Sequence, residues 1–272
     1  MKQAFAILLL ASCAHMKQPM FVNGPQGRLH VDDGGRGDAV PVLFVHGNGG
    51  NLTQWRAQLE HLRPTRRPVA FDLRGMGLSD PARNGDYTPL AIVDDVEAVA
   101  QALKLNRFVI VGHSFGGAVV AAYAAKHPER VAGVVFADAA GNVKIDDAAA
   151  SSFLAALRTD KDKVAAQWFA PILKPSSDAV RNAVLMSVHN TPVDVFVGAL
   201  DSLRHIDMGE WLAAYHGPKL AIAAADIESK VSLHVQFPEL PVKKMSGVGH
   251  WLMMDNPAEF NRLLDAFLAT LP

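Results

Sequence analysis

A serine flanked by glycines stands near the middle of this chain, in the segment Gly112-His113-Ser114-Phe115-Gly116. An apolar run typical of a buried strand precedes the segment, and a run of small apolar residues typical of a helix follows it. The pattern predicts a strand, a tight turn and a helix, with Ser114 on the turn. Side chains at Gly112 and Gly116 would collide with the neighbouring strand and helix. A serine on such a turn, at a helix N-terminus that favours negative charge, is typical of a nucleophile.

A glycine-rich loop follows an earlier strand. The run at residues 41–45 is continuously apolar, which predicts a buried strand, and it leads into His46-Gly47-Asn48-Gly49-Gly50-Asn51. A loop with so few side chains lets backbone N–H groups approach a ligand closely. Such donors stabilise the negative charge that develops on a carbonyl oxygen under nucleophilic attack.

A histidine stands late in the chain, between a short strand and the last predicted helix. His250 follows the strand at residues 242–245 and a glycine-containing loop at residues 246–249. Imidazole is the side chain most often used as a general base near neutral pH. The other histidines do not pair with Cys, Asp or Glu at the spacing of metal ligands, so no metal site is expected.

A fourth motif follows another predicted strand and reads Asp72-Leu73-Arg74-Gly75-Met76-Gly77-Leu78-Ser79. It resembles the D-x-R-G-x-G-x-S segment of the α/β-hydrolases. Together, the four motifs are similar to those of a lid-bearing serine esterase or lipase of that family. Each stands at the end of a predicted strand, where open α/β sheets bind their ligands. The resemblance covers residues 20–141 and 218–272.

The resemblance implies a role for each matching residue. Ser114 is expected to be the nucleophile and His250 the general base. The backbone N–H groups of Asn48 and Phe115 are expected to form the oxyanion hole. His46 resembles the histidine that organises this loop in the family, and we interpret it as structural.

The acid of the expected triad has three candidates. The family usually takes it from the strand that follows the lid, which here is residues 219–225, so Asp226 is the expected acid. The family's Gly-x-x-Asp pattern lacks its glycine at this place. Asp138 is the alternative, because some relatives take the acid from the preceding strand, and it otherwise only ends that strand. Glu228 is the third candidate.

Composition and periodicity indicate one globular α/β domain with an insertion. The chain has 272 residues, of which 50% are hydrophobic and 19% charged, and its net charge is −1. These values exclude a disordered chain, and no basic patch indicates nucleic acid. Apolar strands alternate with helical patterns, which predicts a mostly parallel sheet. The resemblance implies the α/β-hydrolase fold, with a mostly parallel central sheet and helices on both faces. The expected domains are a leader at 1–19, a core at 20–141 and 218–272, and a helical lid at 142–217.

The segment 142–217 is rich in helix-forming residues and predicts three to five short helices over Ser114. Within it, Trp168 and Phe169 are candidate walls of an apolar substrate pocket, as is Trp251 beside the base. Four further apolar residues of the segment are also candidates: Phe153, Met186, Phe196 and Trp211. The alternative is that these side chains pack the lid against the core.

The implied activity is hydrolysis of a carboxylic ester of a small to medium apolar substrate through an acyl-enzyme, without a cofactor. The same Ser-His-Asp chemistry also serves hydrolysis of carbon–carbon bonds, lactones or thioesters, and perhydrolysis. A ligand receptor with slow turnover on the same fold is a further alternative. A fold alone does not determine the substrate.

The N-terminus resembles an export signal. It has a short positive start, an apolar stretch at residues 4–10 that is too short to span a bilayer, and a signal box at 10–13 like that of bacterial lipoproteins. Cys13 is the only cysteine, so no disulfide is expected. We expect export to the bacterial cell envelope and membrane anchoring through lipidated Cys13. Soluble export with cleavage after Ala14, or a cytoplasmic chain that starts at Met16, are the alternatives.

Lipidation of Cys13 is tested by mass spectrometry of the chain from a bacterial membrane fraction. We expect an N-terminus at Cys13 that carries several acyl chains, because one chain alone binds a membrane only marginally. The Cys13→Ser variant should leave the membrane fraction. An unmodified N-terminus at Met1 would contradict the prediction.

Overall fold

The chain is built around one sheet, and a computed structural model describes residues 18–271. The described part contains eight strands: β1 (Met20–Asn23), β2 (Arg28–Asp33), β3 (Ala39–Val45), β4 (Arg66–Phe71), β5 (Phe108–His113), β6 (Val131–Ala137), β7 (Lys219–Ala224) and β8 (Val242–Met245). Their order in the sheet is β1-β2-β4-β3-β5-β6-β7-β8. The β1–β2 and β2–β4 pairs are antiparallel and all the other pairs are parallel. The predicted lipoprotein signal and Cys13 lie outside the described residues.

Helices cover both faces of the sheet, which confirms the predicted fold class. They are α1 (Arg56–Leu62), α2 (Pro89–Ala102), α3 (Phe115–Lys126), α4 (Asp147–Thr159), α5 (Lys161–Leu173), α6 (Asp178–Asn190), α7 (Val193–Ser202), α8 (Met208–Ala214), α9 (Leu233–Gln236), α10 (Leu252–Asp255) and α11 (Pro257–Leu268). Alternate side chains of β3 show how the strands divide the core. Leu43 and Val45 pack with α2 and α3 on one face, and Val42 and Phe44 pack with α1 and α11 on the other.

Five helices, α4 to α8, lie between β6 and β7, within the segment expected to be a lid. Helices α4 to α7, called the insertion helices below, join the apolar cluster of the face that carries α11. Helix α8 packs against α3 on the opposite face. No single helix in residues 18–271 is long and apolar enough to span a membrane. Two consecutive segments, Asp178–Asn190 and Val193–His205, reach that length and apolarity only together, across a bend of 102°.

The motif that follows β4 braces the glycine-rich loop after β3. The buried carboxylate of Asp72 accepts hydrogen bonds from the backbone N–H groups of Leu52 (2.6 Å) and Leu78 (2.8 Å). The Leu73 N–H donates to His46 Nε2 at 3.0 Å. The motif therefore holds together two loops that leave neighbouring parallel strands at the same edge of the sheet.

Candidate active site

Ser114 lies on a strained turn between β5 and α3. Its backbone has φ 51° and ψ −119°, a conformation that costs a non-glycine residue about 1–3 kcal/mol. A Cβ on Gly112 would lie 2.3 Å from the carbonyl oxygen of Gly116, and a Cβ on Gly116 would lie 2.5 Å from that of His46. The prediction that side chains at both glycines would collide with their surroundings is confirmed. The fold thus stores strain to present the Ser114 side chain at a cavity.

His250 is held by a carboxylate on one side of its ring. Its Nδ1 lies 2.6 Å from Asp138 Oδ2. Because an ionised carboxylate only accepts hydrogen bonds, this contact places the ring hydrogen on Nδ1 and leaves Nε2 as the basic nitrogen. Ser114 and His250 line the same cavity, although no hydrogen bond joins them in the described residues. Catalytic hydrogen bonds are often long without substrate and shorten when it binds.

Two hydrogen bonds to the neighbouring strand β7 fix the position of Asp138. It follows β6 directly, in a left-handed conformation with φ 42°. Its backbone N–H donates to the carbonyl of Ile222, and its Oδ1 accepts from the N–H of Ala224 at 3.0 Å, both on β7. With one oxygen occupied by β7, the other is directed at His250.

The prediction that Asp226 holds the base is wrong, and Asp138 takes this place. Asp226 lies two residues beyond the end of β7, where its Oδ2 accepts from the backbone N–H of Gly247 at 2.6 Å. It therefore supports the loop that carries His250 and does not touch the imidazole. Glu228, the third candidate, is also engaged elsewhere. Its carboxylate contacts Lys244 Nζ at 2.6 Å and pairs with His234.

The expected oxyanion donors lie beside Ser114. Phe115 follows it on the turn, and Asn48 follows Gly47, at which a Cβ would lie only 3.1 Å from Ser114 Cβ. Neither the Asn48 nor the Phe115 backbone N–H makes a hydrogen bond within residues 18–271. These two groups remain as donors for a ligand oxygen.

The structural interpretation of His46 agrees with its contacts. The ring is completely buried, its Nδ1 contacts the carbonyl of Gly47 at 2.8 Å, and its Nε2 accepts from Leu73 N–H. Burial lowers the pKa of His46, which keeps the ring neutral. His46 thus joins two loops and has no nitrogen left to act as a base.

A cavity of about 550 Å³ opens at Ser114 and His250. Its walls are mostly apolar, and the Phe and Trp residues among them are Phe115, Phe153, Trp168, Phe169, Phe196 and Trp251. Trp168, Phe169 and Trp251 thus line the cavity, as the sequence predicted. Met186, which is 59% exposed, and Trp211, which lies on α8 and packs against the cluster on the other face, do not. The described residues include no group of three or more His, Cys, Asp or Glu arranged to hold a metal.

The insertion helices are hydrogen-bonded to the loops that carry the expected catalytic groups. The backbone N–H of His250 donates to the carbonyl of Ile172 on α5 at 3.0 Å. The Asn48 side-chain amide donates to the carbonyl of Phe196 on α7 at 2.8 Å. The sequence contains no signal for either contact, since each joins a side chain or N–H group to a backbone carbonyl more than 70 residues away.

The partly buried carboxylate of Asp255 adds a third link, between the insertion and the loop at residues 246–250 that carries His250, called the base loop below. Asp255 Oδ2 accepts from the backbone N–H of Gly249 (2.8 Å) and from Ser176 Oγ (2.9 Å), which lies between α5 and α6. Gly249 has no space for a side chain, because a Cβ there would lie 2.4 Å from the carbonyl of Ile172. No motif in the sequence indicates this role of Asp255.

Comparison with known proteins establishes the family. The model of the family described as alpha/beta hydrolase fold matches residues 40–257. The chain belongs to the α/β-hydrolase family. A thermophilic esterase from Thermogutta terrifontis, solved with malate bound, superposes with a TM-score of 0.80 at 22% identity, over 93% of this chain and 99% of that one. The enol-lactonase from Burkholderia xenovorans LB400 gives 0.80 at 19% identity, over 92% and 100%. At these identities, the two structures show the fold alone.

Curated relatives match in a shorter region. The 2-hydroxymuconate semialdehyde hydrolase of Pseudomonas sp. (strain CF600) is 35% identical over 117 residues, which are 42% of this chain and 41% of the relative. The 2-hydroxy-6-oxo-2,4-heptadienoate hydrolase of Pseudomonas putida is 34% identical over 131 residues, which are 47% and 46% of the two chains. The chain spans less than half the length of these curated relatives.

A pair of variants tests whether Asp138 or Asp226 is the carboxylate that supports His250 in catalysis. Asp138→Asn removes the acceptor that fixes the His250 tautomer, so kcat for a p-nitrophenyl ester should fall by ~10⁴ with the melting temperature little changed. Asp226→Asn, the matched control, loses only a contact to a backbone N–H group and should reduce kcat far less. The opposite order of the two kcat values would move the acid to Asp226.

Proposed function

We propose that this chain is a serine hydrolase that cleaves a carboxylic ester of a small to medium apolar substrate through an acyl-enzyme. One observation carries the proposal: a histidine oriented by Asp138 lines the same cavity as a serine held on a strained turn. A strained, solvent-accessible serine is costly for a fold, and such strain clusters at active sites.

The chemistry follows from the contacts. Ser114 attacks the acyl carbonyl while His250 Nε2 takes the hydroxyl proton, and Asp138 stabilises the imidazolium that forms. The N–H groups of Asn48 and Phe115 hold the oxyanion, and each such donor typically lowers the barrier by about 3–4 kcal/mol. His250 then protonates the leaving alcohol. Water, deprotonated by the same nitrogen, cleaves the acyl-enzyme and releases the acid.

The cavity supports an uncharged, apolar substrate. Its volume of about 550 Å³ lies in the ordinary range for small-molecule sites, and its walls are aromatic and aliphatic. Arg204 is the one Lys or Arg among the lining residues, and its guanidinium is paired with Asp201 at 2.9 Å and with Asp147 at 2.7 Å. A substrate carboxylate would find no unpaired cation there.

We also propose that the insertion helices act as the lid of this site, in the sense of a fixed roof. Phe153, Trp168, Phe169 and Phe196, which belong to them, face the cavity. The hydrogen bonds from α5 and α7 to the two catalytic loops support a roof that stays in place during turnover, because lifting it would break them.

Hydrolysis of a carbon–carbon bond is the second candidate. It is favoured by the two relatives at 35% and 34% identity, whose names give substrates that contain oxo groups and no ester. The same serine and histidine serve such a cleavage. The ester proposal ranks first, because the substrates named for these relatives are carboxylates. Arg204, the one Lys or Arg of the cavity wall, is already paired with Asp147 and Asp201 and leaves no free cation to bind them.

The ester proposal is tested with p-nitrophenyl esters of graded acyl length, alongside a 2-hydroxy-6-oxo-dienoate as the carbon–carbon substrate. We expect turnover of the short and medium esters, abolished in Ser114→Ala, and a fluorophosphonate adduct on Ser114 that this variant does not form. Turnover of the dienoate alone would favour the second candidate. Fluorophosphonate labelling that persists in Ser114→Ala would contradict the assignment of the nucleophile.

A further inference from the structure

His113, the residue before the expected nucleophile, contacts the base directly. Its side chain is completely buried, and its Nε2 lies 2.9 Å from the backbone carbonyl oxygen of His250. The two imidazole rings have their centroids 4.7 Å apart. Because a carbonyl oxygen only accepts hydrogen bonds, Nε2 of His113 carries the hydrogen.

The other nitrogen of His113 has no partner among the described residues. Nδ1 is buried, and a Cβ on Gly47 would lie 2.9 Å from it, so the backbone of the glycine-rich loop at residues 46–51, called the oxyanion loop below, packs tightly there. A charged ring would place a second N–H at this position with nothing to accept it, at a cost of about 1–3 kcal/mol or more. The ring is therefore the neutral tautomer with its hydrogen on Nε2.

The electrostatic surroundings agree with a neutral ring. The titratable groups that face His113 are His250 on the base loop and His46 at the start of the oxyanion loop, and a positive charge on either disfavours a proton on His113. Burial is the larger cause, and it holds the pKa of His113 well below its ordinary value. His250 can thus become an imidazolium beside a ring that brings no competing charge.

Three parts of the site meet at this one side chain. His113 ends β5 directly before the turn that carries Ser114, packs on Gly47 of the oxyanion loop, and hydrogen-bonds to His250 of the base loop. We propose that His113 is a positioning residue, a permanently neutral imidazole whose Nε2–H fixes the backbone of His250 and so keeps the base in line with Ser114. The inference rests on the proposed function of that site.

A pair of variants separates the hydrogen bond from the volume of the ring. His113→Phe keeps an aromatic ring but loses the donor. His113→Gln keeps an N–H donor at about the reach of Nε2. With p-nitrophenyl butyrate, we expect His113→Phe to lower kcat by about 10²-fold with little change in KM, because small misplacements of a catalytic group cost about that much. His113→Gln should recover most of kcat, and melting temperatures monitor folding in both.

The pH profile provides a second readout, which does not depend on whether His113→Phe folds. We expect the acid limb of kcat/KM to fall with the same slope, one, in the wild type and in His113→Gln, because a neutral His113 takes up no proton in this range. A slope of two in the wild type that becomes one in His113→Gln would show that His113 titrates and would overturn the proposal. Equal kcat in folded His113→Phe and the wild type would also overturn it, as would a folded His113→Gln with kcat reduced by 10² or more.

Ser114→Ala distinguishes this inference from the proposed function. If Ser114→Ala turns over the ester at the wild-type rate, the proposed function fails. If Ser114→Ala is inactive while His113→Phe is unaffected, only the role of His113 fails.

Discussion

The hydrogen bond from His250 Nδ1 to Asp138 Oδ2 joins two residues that are 112 positions apart in the sequence. It defines the tautomer of the base, and the rest of the site is arranged so that this contact can form. Asp138 leaves β6 in a left-handed conformation, and one of its carboxylate oxygens is occupied by the Ala224 N–H on β7. The contact therefore depends on the parallel pairing of β6, β7 and β8, because this pairing brings Asp138 and the base loop to one edge of the sheet.

The base loop is held on every side. The backbone N–H of His250 is bound by α5, its carbonyl by His113, and the N–H groups of Gly247 and Gly249 by the carboxylates of Asp226 and Asp255. This arrangement explains why two further carboxylates occur near the base without being its partner. The insertion helices take part in this arrangement, since they are hydrogen-bonded to both this loop and the oxyanion loop.

The sequence predicted the parts of the site that are local. The turn around Ser114, the glycine-rich loop after β3 and the histidine after β8 each have a signature within about ten residues, and the structure places all three at one cavity. The sheet was predictable for the same reason, because each strand is an apolar run with its own boundaries. The residue that holds His250 could not be predicted, because Asp138 and Asp226 both follow apolar strands, and which of them reaches the imidazole depends on the three-dimensional arrangement of β6, β7 and β8.

Contacts between distant parts of the chain could not be predicted from the sequence either. Nothing near His113 or Asp255 indicates that their partners are a backbone carbonyl and a backbone N–H group of the base loop. Of the aromatic residues in the insertion, those on α4, α5 and α7 face the cavity, whereas Trp211 on α8 packs against the opposite side of the sheet. Helical periodicity indicates that such a residue is buried but does not show on which face.

The central claim is that Asp138 holds the Nδ1 hydrogen of His250. Proton NMR of the protein with ¹⁵N-labelled histidine observes this hydrogen directly, as a low-field resonance coupled to a ring nitrogen. The structure predicts a resonance that is present in the wild type and in Asp226→Asn and is lost in Asp138→Asn. A resonance that survives in Asp138→Asn and disappears in Asp226→Asn would contradict the account.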